Sequence, residues 1–203
     1  MLSRLLNGTI IAVFAVASAT AALAATPTIS TYSSWDKSLA IRPFGCPASS
    51  STPTYGQVIT VPSGMHHLNQ FTVWWQASGG AAAAMVGRAH VYRWDATNRR
   101  PMGRSLFDSA PLTISLSDSA FHPQNFFFSN LVVTPGVQYV IFASIDWEYV
   151  DCANSQLAWG FIAGDAYSGG SFLFLNDAGD DRQWKTTQWS ASGDLAFKAY
   201  LSP

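Results

Sequence analysis

The 203-residue chain contains little charge of either sign. Asp, Glu, Lys and Arg make up 11% of it, and the formal net charge is −1. It has no run of Lys or Arg, and both nucleic acids and anionic membranes are bound through basic faces. The composition therefore disfavours both partners. Aromatic residues reach 14%, which indicates a packed core rather than a disordered chain.

Recognisable catalytic motifs are also missing. Glu148 is the only glutamate in the chain, whereas a glycoside hydrolase needs two carboxylic residues facing each other across a cleft. Asp146 and Glu148 would share a face if they lay on a strand, although a solvated, irregular segment is favoured. There is no G-x-S-x-G motif. None of the four histidines has metal-ligand spacing: His66, His67, His90 and His122. We predict no catalytic residue and no cofactor other than the calcium considered below.

The first 25 residues have the order of a secretory signal peptide. Arg4 precedes an apolar stretch at residues 10–16, and small residues stand at Ala22 and Ala24. An uncleaved membrane anchor is disfavoured because the apolar run falls short of the roughly 20 residues that a spanning helix needs. We expect cleavage after Ala24 or Ala25 and a secreted or periplasmic protein without stable membrane insertion.

Only two cysteines are present, Cys46 and Cys152. Export through an oxidising compartment favours a disulfide between them. Such a bond would close a loop of about 107 residues and contribute up to about 4.7 kcal/mol. A pair of buried free thiols is the alternative.

Apolar residues recur with a period of two rather than with helical spacing. In "LNQFTVWWQ", Phe71, Val73 and Trp75 fall on one face, with Thr72 and Trp74 on the other. Similar short runs, separated by Gly, Pro, Asn and Asp, predict about nine or ten strands.

Strands without crossover helices must pair mostly antiparallel and bury one face. We therefore predict an all-β, antiparallel two-sheet jelly-roll β-sandwich. The predicted organisation is a signal peptide at 1–25, an extended lead-in at 26–52 and one β-sandwich domain at 53–203.

Several strand and turn segments suggest a family. "YGQVITVPSG", "LVVTPGVQYVIFAS", "AWG", "DAYSGGSFLFL" and "SGDLAFKAYL" together resemble secreted bacterial β-sandwich modules of the jelly-roll, carbohydrate-binding-module-like kind. The resemblance covers roughly residues 55–201. It implies a binding or structural role outside the cytoplasm, and it supplies no ligand residues.

The stretch "NDAGDDRQW" concentrates acids in a chain that has few. Its Gly position does not fit an EF-hand loop. An irregular calcium site formed by Asn176, Asp177 and Asp180 is one hypothesis. A turn after the apolar "SFLFL", with solvated acids, is favoured because Asn, Asp and Gly tolerate turn conformations.

The chain has eight tryptophans, which exceed the needs of one small core. Tryptophans within strands, such as Trp74, are assigned to packing. For those near turns, burial and sugar stacking are equally favoured. The predicted ligand-binding residues are Trp147, Trp184, Trp189, Asp180 and Asp181.

These observations lead to three functional hypotheses. The first is a secreted, noncatalytic β-sandwich module that binds an extracellular glycan through loop aromatics. The second is a structural or adhesive envelope protein without a small-molecule site, in which Trp184 and Trp189 would be buried. The third is a small extracellular glycoside hydrolase that uses Asp146 and Glu148.

Overall fold

The structure, a computed structural model, describes residues 26–45, 54–78, 83–151 and 156–203. The predicted signal peptide and both predicted disulfide partners, Cys46 and Cys152, lie outside the described residues. Within those ranges, no helix has the length and apolar character needed to cross a membrane.

The described residues are folded almost entirely as β-strands joined by turns. The strands are β1 (Ile29–Ser30), β2 (Ala40–Gly45), β3 (Thr54–Thr60), β4 (His67–Ala77), β5 (Ala83–Asp95), β6 (Arg100–Asp108), β7 (Leu112–Leu116), β8 (His122–Val132), β9 (Gln138–Ser144), β10 (Gln156–Ile162), β11 (Phe172–Leu175), β12 (Ser190–Ala191), β13 (Asp194–Leu195) and β14 (Phe197–Ser202). Short 3₁₀ segments include Tyr32–Ser34, Asp146–Asp151 and Asp181–Lys185.

Two antiparallel sheets of seven strands each face one another. Sheet 1 has the order β1-β14-β4-β10-β13, with β2 beside β10 and β8 beside β4. Sheet 2 has the order β12-β11-β3-β9-β5-β6, with β7 beside β5. From β3 to β5 and from β8 to β11, successive strands cross between the sheets, as jelly-roll connections do. The predicted antiparallel two-sheet sandwich is therefore confirmed.

The predicted number of strands, nine or ten, was too low. The described residues form 14 strands, and β1, β12 and β13 have only two residues each. A two-residue strand is too short to show a period of two, so sequence patterning does not detect it. β1 and β2 belong to the predicted lead-in, and both are hydrogen-bonded into sheet 1.

The main core lies between the inner faces of the two sheets. β14 shows why: Phe197, Ala199 and Leu201 are buried, while Lys198 and Tyr200, which alternate with them, are less buried. Large side chains from both sheets meet in this core, among them Phe71, Trp75, Tyr139, Ile141 and Phe197. Because side chains alternate between the two faces of a strand, the residues between the core residues point to the outer face of the sheet.

The outer face of sheet 2 is apolar as well. In β9, Ile141 belongs to the main core, whereas its neighbours Val140 and Phe142 belong to a second buried cluster. Trp184 and Trp189, from the segment after β11, complete that second cluster. This segment therefore covers the outer face of sheet 2 as a partial third layer.

The outer face of sheet 1 carries a third, smaller cluster. It is formed by Trp35, Trp74 and Ala196, with Tyr32 and Phe121 packed against them. Three separate apolar clusters explain why the chain contains more tryptophan than one core requires.

Candidate functional site

Part of the predicted sugar site does come together, on the outer face of sheet 2. Trp147 stacks on Trp184 with 6.0 Å between ring centroids, and Trp147 Nε1 donates to Asp181 Oδ2 at 2.7 Å. Trp147 is 47% exposed, but Trp184 and Trp189 are only 2% and 0% exposed. Of the three predicted tryptophans, Trp147 alone can contact a ligand without rearrangement.

The turn that precedes Trp184 forms as predicted. Ala178 and Gly179 have positive φ angles of 54° and 85°, and the Asp180 amide donates to the Asp177 carbonyl. The Asp180 carboxylate then caps the 3₁₀ segment by accepting from the Arg182 backbone amide, and it pairs with the Arg182 guanidinium at 2.6 Å. Asp180 is thus engaged within its own turn.

Asp177 differs from the other acids of this turn because it is buried. Its carboxylate lies 3.5 Å from Thr54 Oγ1 and accepts from the Gly179 amide. The expectation that the acids here stay solvated was wrong for Asp177, because the turn folds this side chain inward against β3.

Asp146 lies beside Asp177 and is also buried. Trp184 Nε1 donates to Asp146 Oδ2 at 2.6 Å, which fastens the covering segment to the end of β9. Burial, together with the negative charge of Asp177, raises the pKa of Asp146 to about 8. Burial also raises the pKa of Asp177, while its hydrogen bond with Asp146 lowers it.

The larger rise at Asp146 favours the proton on Asp146 and the negative charge on Asp177, because two carboxyl groups in one low-dielectric site do not both ionise readily. Because both side chains are enclosed, the pair acts as a structural link between β9 and the covering segment.

Asp146 and Glu148 do not form the face-sharing pair that a strand would create. They lie in the segment Asp146–Asp151, where two 3₁₀ turns meet at a non-helical Glu148. Glu148 Oε1 pairs with Arg88 Nε at 2.8 Å, whereas Asp146 bonds to Trp184. The two carboxylates are therefore committed to different partners.

The predicted calcium ligands are placed in different environments. Asn176 is exposed, Asp177 is buried and Asp180 pairs with Arg182. Over the described ranges, there is no group of three or more His, Cys, Asp or Glu residues that could hold a metal ion. The calcium site stays a prediction.

An open groove lies on the outer face of sheet 1. Its volume is about 420 Å³. Tyr32 and Trp74 stack in its wall, with ring centroids 4.3 Å apart and an angle of 28° between the planes. Trp35 meets Phe121 edge-on at 4.7 Å. Polar side chains share the lining: Lys37, Ser38, Gln76 and Ser119.

Two residues, Thr31 and Gly160, hold the wall of this groove in place. The buried Thr31 anchors the 3₁₀ segment that carries Tyr32, because its Oγ1 donates to the Leu195 carbonyl at 2.7 Å and accepts from the Phe197 amide at 2.9 Å. Gly160 on β10 lets Trp35 lie against the sheet, since a Cβ there would sit 2.8 Å from the Trp35 ring.

A row of polar side chains continues from the groove along the same face. Gln70 and Thr72 on β4 both hydrogen-bond to Asn125 Oδ1 on β8, at 3.1 and 2.7 Å. Phe127, which is 68% exposed, lies opposite Gln70 on β8. Trp74 and Gln70 are four residues apart, or about 13 Å along a strand. The face is long enough for an extended ligand.

Sequence reasoning did not assign Tyr32 or Trp74 to a binding site, although a signal for the outward position of Trp74 was present. The alternation in β4 placed Trp74 on the face opposite Phe71, Val73 and Trp75, which is the outer face. Its assignment to packing agrees with its burial, because Trp74 is 8% exposed and packs with Trp35 and Ala196. Tyr32 gave no local signal, because its contact with Trp74 joins residues 42 positions apart.

Comparisons with known proteins add no further constraint, since no family model, curated protein or solved structure matches the chain.

Proposed function

We propose that this protein is a secreted, noncatalytic β-sandwich module that binds carbohydrate in the groove on the outer face of sheet 1. The observation that carries the proposal is the Tyr32–Trp74 stack in an open groove that polar side chains also line. This assignment replaces the predicted loop tryptophans with a different aromatic site.

The chemistry of the groove suits a sugar. A pyranose offers an apolar face for an aromatic ring and a rim of hydroxyls for hydrogen-bonding side chains. Here the half-buried ring of Tyr32, supported from behind by the buried Trp74, supplies the apolar contact, and Gln76, Ser38 and Ser119 supply donors and acceptors. The polar row toward Phe127 favours a polysaccharide over a single sugar.

Secretion is part of the same proposal. Gly45 pairs with Gln156 in sheet 1, and Cys46 and Cys152 are one and four residues away from this pair along the chain. That proximity supports the Cys46–Cys152 disulfide. Secreted protein is expected to start after Ala24 or Ala25, and its mass is expected to rise by two hydrogen atoms on reduction. An unchanged mass would contradict the disulfide.

A glycan array with the wild type and two variants tests the binding proposal. We expect the wild type to bind at least one polysaccharide, Tyr32→Ala to lose that signal, and Trp147→Ala to keep it. Trp147→Ala is the matched control because it removes an exposed aromatic side chain from the opposite face of the sandwich. A folded wild type that binds no glycan would overturn the proposal.

A structural or adhesive envelope protein is the second candidate. It is favoured by the burial of Trp184 and Trp189, which that hypothesis predicted. It predicts a silent glycan array. Under either candidate, acrylamide should quench the fluorescence of a Trp147→Phe variant less than that of the wild type, because Trp147 is the only tryptophan among the exposed large hydrophobic residues of the described chain.

A further inference from the structure

Two of the chain's three lysines lie at the aromatic groove. Lys37 Nζ is 5.0 Å and Lys198 Nζ is 4.7 Å from the centroid of the Tyr32 ring. Lys198 Nζ is also 5.7 Å from the Trp74 ring. Two ammonium groups therefore converge on the aromatic stack that forms the proposed sugar site.

In the part of the chain that the structure describes, Lys37 and Lys198 form no ion pair with a carboxylate. The nearest acids in sequence have other partners. Asp36 accepts the Ser38 and Leu39 amides, each at 2.8 Å, and Asp194, four residues before Lys198, accepts the Ala166 and Tyr167 amides, each at 2.9 Å.

Local structure holds both lysines in place. The two hydrogen bonds to Asp36 close a turn in which Lys37 adopts a positive φ of 64°, a conformation uncommon for a residue with a side chain. Lys198 projects from the outer face of β14, opposite Thr72 on β4. The backbone of each lysine is therefore held in a defined position, from which its side chain reaches the groove.

We propose that the groove binds an acidic polysaccharide, with a sugar ring beside the half-buried Tyr32 and its anionic group near Lys37 and Lys198. This inference rests on the proposed glycan-binding function. Charge-assisted hydrogen bonds from ammonium to carboxylate or sulfate are stronger than neutral ones. A neutral sugar would leave both cations without an anionic partner.

Binding of polygalacturonate, of its methyl-esterified form and of a sulfated polysaccharide by isothermal titration calorimetry tests the proposal. Esterification keeps the sugar rings and removes the charge. We expect an anionic polymer to bind at least about tenfold more tightly than the esterified one, and to weaken as salt rises from 0.05 to about 0.5 M. Comparing carboxylated with sulfated polymer identifies which anion is preferred.

Three variants separate charge from packing. Lys198→Gln is expected to lose about tenfold in affinity for the anionic polymer, and Lys198→Arg to stay within about threefold of the wild type. Lys185→Gln is the matched control because Lys185 is exposed on the far side, within the segment that covers sheet 2.

Equal binding of charged and esterified polymer, or an unaffected Lys198→Gln, would overturn the acidic-ligand inference while leaving glycan binding intact. Failure of every polysaccharide, charged or neutral, to bind would overturn both proposals.

Discussion

The two outer faces of the sandwich carry similar aromatic residues and use them differently. On sheet 2, Trp184 and Trp189 pack against an apolar surface and are almost fully buried. On sheet 1, Trp74 is also buried, at 8% exposure, but the half-buried Tyr32 stacked on it lies in the wall of an open groove. Aromatic content alone therefore does not locate a binding site; the covering segment decides which face remains accessible.

Hydrogen bonding explains the closed state of the sheet 2 face. Trp184 donates to the buried Asp146, and Trp189 Nε1 donates to the Trp184 carbonyl at 3.0 Å. Both indole donors are satisfied inside the protein. The groove on sheet 1 instead leaves polar groups and two ammonium groups at an open surface.

The largest effect is expected from truncating the covering segment. Trp184→Ala should destabilise the protein by about 3–5 kcal/mol, because it removes a buried indole and leaves Asp146 without its donor. Urea denaturation measures the loss. Trp147→Ala, at an exposed position, should cost only about 1 kcal/mol. Equal losses in the two variants would contradict the difference in burial.

The acid pair under Trp184 predicts a pH dependence. Folded Asp146 keeps its proton up to about pH 8, whereas an unfolded aspartate loses it near its ordinary pKa of about 3.9. The folded state therefore binds more protons between these values, so stability falls as pH rises through this window. The slope is at most about 1.4 kcal/mol per pH unit for one group.

Asp146→Asn isolates this contribution. The amide can accept from Trp184, as Asp146 does, and it has an N–H group to offer Asp177, but it does not ionise. We expect the variant to match the wild type near pH 3 and to become progressively more stable than the wild type as the pH rises to 8. Thermal unfolding of both proteins across this range measures the difference in stability. Parallel plots of stability against pH for the two proteins would contradict a raised pKa for Asp146.

Gly160 links the groove to the fold. Gly160→Ala places a methyl group against the Trp35 ring and should cost about 1–3 kcal/mol through overpacking. It should also weaken glycan binding, because Trp35 lines the groove. Gly103→Ala, where the added Cβ meets nothing within 4 Å, controls for the loss of glycine itself. Its positive φ of 76° predicts a stability cost without a binding effect.

The smallest stability effect is expected in the groove wall. Tyr32 is half-buried and stacks on Trp74, so Tyr32→Ala should cost about 1 kcal/mol of stability but at least about tenfold in glycan affinity. Chemical denaturation and calorimetry on the same preparation give both values. Loss of stability without loss of affinity would place the ligand elsewhere.

The strands that alternate were predictable and the groove was not. Alternation in "FTVWW" correctly separated the inner from the outer face of β4. The continuous apolar run in β9 indicated a strand, but local pattern does not show what covers its second face. The burial of Asp177 and the stacking of Tyr32 on Trp74 both depend on contacts between distant segments. Such contacts leave no local pattern in a single sequence.

Hydrogen exchange in the presence of polygalacturonate tests the central claim most directly, because it reports which outer face binds. We predict slower amide exchange in residues 30–38 and 119–123 around the groove, with unchanged exchange in residues 176–189 over sheet 2. Protection confined to 176–189 would contradict the account and return the binding site to the tryptophans of the covering segment.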